Sequence, residues 1–226
     1  MFSNLTSALG EVLHLDSAPA KVREADVSFD RPAEAYQPEK TSINLFLFDV
    51  RERSELRSSE PVIQRDAGGR TVSITQPPMR IACSYLVTAW IEAGQSGQKA
   101  ILNQHDLLAE ALLAFSAMPV LSGDKLSETT RAWLSEQPYA VELAVLQSDL
   151  TKNMSEFWTA VGGKLRPSFT LTATVAMVSK AKPGSAPLVT GKEIVINKSE
   201  ADEPVKKPKR PRPKATIVGS NSPQEK

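Results

Sequence analysis

The chain has 226 residues, 41% of them apolar and 23% charged, with a formal net charge of +1 and one cysteine, Cys83. That length can bury a sizeable core in one soluble domain, about 70% of the unfolded surface. No apolar stretch nears the ~20 residues of a membrane span, the start lacks a secretory-leader pattern, and a lone cysteine excludes an internal disulfide and gives no zinc pattern, so the expectation is a protein that is cytoplasmic when made.

Charge is unevenly placed. Residues 198–226 hold eight Lys or Arg against four Asp or Glu, a balance of 8 − 4 = +4, which leaves 19 − 22 = −3 for residues 1–197. A globular nucleic-acid binder carries its basic patch on the folded body, and here the body is close to neutral.

In chain order, Phe2, Leu5, Leu9, Val12 and Leu13 recur at three- and four-residue spacing and predict a short amphipathic helix, with His14 in its cap region. "DVSFD" (26–30) is a strand candidate, and Pro32 and Pro38 make residues 31–40 a loop. "SINLFLFDVRER" (42–53) is apolar at both parities, Ile43, Leu45 and Leu47 against Phe46, Phe48 and Val50, which predicts a strand covered on both faces. From Asp49 the charges alternate through Arg51, Glu52, Arg53, Glu55 and Arg57, so the chain is expected to leave the core and run extended into water or to a partner. Arg51, Arg53 and Arg57 are therefore the candidate interface residues.

"EPVIQR" and "RTVSI" flank the turn signal "AGG" as a strand pair, and Pro77-Pro78 precedes the longest strand candidate, residues 79–91. A helix follows, with Ile101, His105, Leu108, Leu112 and Phe115 on one predicted stripe and Pro119 as its stop. Residues 128–134 are a short helix candidate and 140–147 a strand. Met154, Phe157, Trp158 and Val161 face inward from a helix stopped by Gly162-Gly163. In residues 168–178, Phe169, Leu171, Ala173, Val175 and Met177 alternate with Ser168, Thr170, Thr172 and Thr174. The apolar face is expected on the core, with the hydroxyl face toward water or a partner's backbone. These elements predict an α+β fold, a largely antiparallel mixed sheet with helices packed mainly on one face. The expected organisation is one domain over 1–180, an extended segment over 181–197 with one β-prone piece, "EIVI", and a disordered basic tail over 198–226. Within that tail, residues 206–214 hold six basic residues and three prolines.

Catalytic constellations are thin. "GQSGQKA" (94–100) sits between strand and helix as a phosphate loop would, but Gly94 and Gly97 are three apart, Gln98 precedes Lys99, and Ala100 stands where a hydroxyl is required. Cys83 lies on the apolar face of its strand and His105 on the predicted apolar stripe, which fits inert core better than a nucleophile and its base. Two histidines and one cysteine far apart give no metal site, and Asp49, Glu52 and Glu55 alternate with arginines as a salt-bridged surface would, rather than as an acid/base pair. The tail could grip phosphates but has no interleaved aromatics for stacking on bases.

Five stretches in order, "VSFDRP", "INLFLFDVRERSELRS", "PPMRIACSYLVTAW", "HDLLAEAL" and "FWTAVGGKLRPSFTLTATVAM", resemble the N-terminal domain of the cap, or tail-terminator, proteins of extracellular contractile injection systems of the antifeeding-prophage and Photorhabdus-virulence-cassette type. The resemblance covers residues 1 to about 180 and leaves the tail out. It implies a tail-terminator-like fold and a structural protein, not an enzyme, with no cofactor, metal or small-molecule substrate. In that reading six copies form a ring on the last disc of the inner tube, end tube and sheath growth, and anchor the sheath at the particle end away from the baseplate. Its partners are then its own copies, the inner-tube protein and the sheath protein. The alternatives are an adaptor whose tail binds nucleic acid or cargo, and a nucleotide-binding enzyme using residues 94–99 or Cys83.

Overall fold

The structure, a computed structural model, describes residues 1–58, 60, 62–65, 71–146, 153–178 and 184–187, all within one compact unit, Met1–Leu188. The basic tail and "EIVI" lie outside the described residues. Two long strands form the centre of the sheet: β5 (Met79–Trp90) pairs antiparallel with β2 (Ser42–Glu52) on one side and with β7 (Ser168–Met177) on the other. A short β1 (Asp26–Ser28) adds parallel to β2, and β6 (Glu142–Val145) adds antiparallel to β7, giving the order β1-β2-β5-β7-β6. The predicted hairpin forms as β3 (Val62–Arg65) and β4 (Thr71–Thr75). A strand that composition gave no reason to expect, β8 (Gly184–Pro187), completes a separate three-stranded sheet against β4.

The odd-numbered residues of β5 and β7 build the core. Ile81, Cys83, Tyr85 and Val87 stand opposite Val175, Ala173, Leu171 and Phe169 in register, and all are buried. Helices α1 (Phe2–Leu13), α2 (Ala20–Glu24), α3 (Gln98–Ser116) and α4 (Glu128–Ser135) supply the other half through Leu5, Leu9, Leu13, Val22, Leu107, Ala111, Phe115 and Trp133. Each fully buried leucine contributes about 1.5–3 kcal/mol. Tyr85 is buried without an unpaired hydroxyl because Thr6 of α1 lies 2.7 Å from it, and burial pushes its pKa up to about 12. Glu11 joins α1 to α4: its carboxylate accepts from the Ser127 N–H at 2.8 Å and from the Ser127 and Thr130 hydroxyls, each at 2.7 Å.

The inward stripe of α3 differs from the predicted one. Ile101 is 53% exposed and His105 is exposed, while Leu107, Ala111, Ala114 and Phe115 are buried. The helix is apolar over two adjacent stripes, and the sheet selects the one that carries small residues where α3 crosses it. The hydroxyl face of β7 is also not open: Thr170, Thr172 and Thr174 are 7%, 4% and 2% exposed. The loop after β1 covers one end of that face, where the Tyr36 ring meets Trp90 edge-on at 4.6 Å and the Arg166 guanidinium stacks 3.5 Å over the same indole.

Candidate assembly surface

The strand β2 changes character at a β-bulge. Leu47 pairs with Tyr85 and Asp49 with Ser84, so Phe48 is the extra residue and the alternation of side chains shifts by one beyond it. Ser42 to Leu45 are buried, but Phe46 to Asp49 are half-buried and Val50 is 45% exposed. The cover expected on both faces is thus confined to the start of the strand. Asn44 is fully buried there, and its Nδ2 donates to the Asp30 carbonyl at 2.9 Å, tying the loop after β1 to the sheet.

Beyond the bulge the strand stays in the sheet longer than its charges suggested. Arg51 and Glu52 remain paired with Ala82 and Ile81, and the Arg53 N–H donates to the Arg80 carbonyl at 2.8 Å. The chain then coils into a 3-10 turn, Ser54–Leu56, so Arg57 is not on an extended continuation. Because β1 reaches only to Ser28, opposite Asn44, the outer edge of β2 from Leu45 on has no strand beside it among the described residues. Alternate residues of an antiparallel ladder turn both backbone groups to the same neighbour. With Arg53 facing β5, Val50 and Glu52 direct theirs outward.

Arg51 and Arg53 line one cleft and Arg57 lies outside it, each already paired within the chain. Arg51 Nε is 2.7 Å from Asp49 Oδ2, Arg53 Nε donates to Glu55 Oε1 at 2.7 Å, and Arg57 Nη1 is 3.4 Å from Glu52 Oε1. The Arg53 bond holds the Glu55 carboxyl below its ordinary pKa. Side chains of Arg51 and Arg57 are 64% and 61% exposed, whereas Arg53 is 33% exposed and also donates to the Thr174 hydroxyl at 3.4 Å. Beside Arg51 and Arg53 is a cleft of about 190 Å³ lined by Asp49, Arg51, Glu52, Arg53, Glu55, Ala82, Ser84 and Thr172, while Arg57 lines a separate hollow with Pro77, Pro78 and Met177. Two neighbours that sequence did not flag are Arg80, 9% exposed with its guanidinium 4.6 Å from the Tyr139 ring, and Glu142, 3.6 Å from Arg80 Nη2. Only the strand register places them beside residues 49–57.

The residues considered for catalysis lie elsewhere. Cys83 is fully buried, and burial alone pushes its thiol up to about 11, away from the thiolate a nucleophile requires. His105 sits exposed on α3, off the core stripe. Gly94 and Gly97 adopt φ of +93° and +86° in an open turn with nothing within 4 Å of where a Cβ would stand. His14 ends α1, with its ring nitrogens 3.2 and 3.3 Å from the carbonyls of Gly10 and Ala25.

Two of the motifs, 130 residues apart, meet. From "VSFDRP", Arg31 donates through Nε to the Val161 carbonyl at 2.5 Å and through Nη2 to the Ala160 carbonyl at 2.8 Å, capping α5 (Met154–Val161). From "VGGKLRPS", Gly162 takes the left-handed conformation at φ +77°, its carbonyl accepts from the Glu34 N–H at 2.9 Å, and Gly163 passes so close to Pro32 that a Cβ would lie 2.7 Å from its carbonyl oxygen. Trp158, 1% exposed, packs beside it. These motif residues hold a loop and a helix together; they are not a chemical site.

A family model described as the Pvc16 N-terminal domain matches residues 4–192. The chain belongs to that family. Two solved structures share the fold of this Pvc16 N-terminal domain. The sheath/tube terminator of the PVC extracellular contractile injection system, in its extended state, is 21% identical with a TM-score of 0.59, over 89% of this chain and 65% of that one. The tube-terminating cap of the anti-feeding prophage is 18% identical with a TM-score of 0.57, over 85% of this chain and 60% of that one. This chain therefore spans less than two thirds of the length of both. No curated protein sequence matches it. The expected fold class, α+β and tail-terminator-like, is the one observed. Among the described residues, no helix is long and apolar enough to cross a membrane.

Proposed function

We propose that this Pvc16-family chain is a structural terminator of a contractile injection system, ending the tube and sheath at the particle end away from the baseplate. The observation that carries this is the family match over residues 4–192, together with a fold shared with two tube terminators. Six copies close into a ring, joined by one heterologous contact repeated around the axis, while a separate axial face meets the last tube disc and the outer rim holds the sheath. Growth in the plane and termination along the axis then use different surfaces. The charged end of β2, with Arg51, Arg53 and Arg57, is an assembly surface whose pairs are exchanged for partner charges on docking.

Particles made without the gene should have irregular length or detached sheaths, and labelled protein should appear only at the end opposite the baseplate. Uniform, correctly sheathed particles in its absence, or label along the shaft, would refute the proposal. For the surface, Arg51→Glu, Arg53→Glu and Arg57→Glu together should leave circular dichroism unchanged, since the exposed Arg51 and Arg57 pairs contribute about 0–1 kcal/mol each and the half-buried Arg53 adds only a long hydrogen bond to Thr174. They should weaken ring formation or capping in a salt-dependent way. Unfolding of the monomer would instead assign the arginines to an internal network, and unaltered assembly would remove them from the interface.

A further inference from the structure

We propose that the apolar groove between the ends of α1 and α3 receives Leu102 from the α3 of a second copy, so that subunits join head to tail; this rests on the terminator reading and names the contact that closes its ring. The groove has a volume of about 350 Å³. Val12, Leu15 and Ala18, from α1 and the turn after it, and Ala114 of α3 are its buried floor, and Leu113 and Met118 stand at its rim. Among its described lining residues only Ser17 is polar, so an aliphatic side chain suits it and a charged group does not. Leu113 is 63% exposed, which carries the apolar surface out of the groove onto the helix.

The same helix supplies a matching projection. Ile101 and Leu102, near the start of α3, are 53% and 54% exposed, and the core uses neither. The helix holds Leu102 about 16 Å from Leu113. Leu102 therefore cannot fill the groove of its own chain. A projection and a hollow at different places on one chain make a heterologous contact, the kind that closes into a ring when the rotation between copies permits.

The charges agree with the shapes. Lys99 stands one turn before Leu102, exposed and without an ion pair among the described residues. Asp16 lies between Leu15 and Ser17 of the groove, fully exposed and held only by Arg23 at 3.7 Å. Seating Leu102 carries Lys99 to the rim that bears Asp16, and opposite charges there set the register of the two copies. One chain thus provides both halves of the contact, apolar and charged alike.

The test is cross-linking of the purified full chain with a short bis-maleimide, which the fully buried Cys83 does not consume. Ser17→Cys and Leu102→Cys in one chain should give a ladder of covalent oligomers that ends at a closed ring. Both positions are exposed, so circular dichroism should match the parent. A mixture of the two single variants should stop at dimers, and neither should cross-link alone. Lys99→Asp should slow the reaction about two- to five-fold, and Asp16→Lys added to the same chain should restore it. Dimers of Leu102→Cys alone, a missing ladder, or a rate that Lys99→Asp leaves unchanged would overturn the contact. The two proposals fail separately: a ladder beside normal particles made without the gene would end the terminator role alone, and a missing ladder beside a capping defect would end the contact alone.

Discussion

Gly163→Ala is a substitution whose sign, not only its size, reports on the contact between the loop after β1 and the end of α5. The backbone at Gly163 is not left-handed, so alanine is conformationally acceptable there. On that ground alone it would stabilise the chain by about 0.4–1 kcal/mol, by restricting the unfolded state. Against this, the new Cβ stands 2.7 Å from the Pro32 carbonyl oxygen and 3.1 and 3.2 Å from two Trp158 ring carbons. Neither neighbour can yield freely. Trp158 is 1% exposed, and the loop carrying Pro32 is fastened by Arg31 to the Val161 and Ala160 carbonyls and by the Glu34 N–H to the Gly162 carbonyl. Overpacking of this kind costs about 1–3 kcal/mol, so the net effect is a loss of about 1–2 kcal/mol, or roughly 2–8 °C in melting temperature for a unit of this size. Equilibrium urea unfolding of the full chain measures it as a lower midpoint at constant slope. A variant as stable as the parent, or more so, would show that the close approach is not a constraint in the molecule.

Two further outcomes follow from the core. The Glu11 carboxylate loses some affinity for charge through burial, but its bonds from Thr130 and Ser127 outweigh that and lower its pKa below the ordinary 4.5. Its contribution is therefore complete above that value and is lost as pH falls through the folded-state pKa. Glu11→Gln, which cannot accept from the Ser127 N–H through its amide nitrogen, should cost about 1–2 kcal/mol at pH 7 and much less at pH 3 in paired unfolding curves; an equal loss at both pH values would contradict the assignment. Cys83, fully buried and with its thiol pushed up to about 11, should resist iodoacetamide at pH 8 until denaturant is added, as mass spectrometry would record.

The strands were legible where side chains alternate against a core. The odd residues of β5 and β7 are apolar in sequence and buried in the fold, and Gly162 announces the end of α5. The even face of β7 was not legible, because threonine suits a pleated surface whether water or a loop covers it. The phase of α3 was ambiguous for a related reason: Ile101, Leu102, Leu108, Leu112 and Leu113 surround much of the helix, and only packing on the sheet selects Leu107 and Ala111. The bulge at Phe48 carries no glycine to mark it, so the exposure of Val50 could not be foreseen. Likewise, "GSAP" has no strand propensity and becomes β8 only by pairing with β4. Of the candidate surface, the alternation of arginines and carboxylates from 49 to 57 was visible locally. Ser84, Thr172, Arg80 and Glu142 were not, because they arrive from three other strands through register alone.

The strand order also dictates a schedule for the chain as it leaves the ribosome. β7 lies between β5 and β6, and β6 has no other strand partner in the five-stranded sheet, so residues 142–145 must wait for residues 171–174 before they can join it. The Arg31 clasp waits equally long for Ala160 and Val161. Nascent chains that stop short of residue 168 hold α1, β2 and β5 but cannot close either contact, and they expose the β5 edge that β7 later covers.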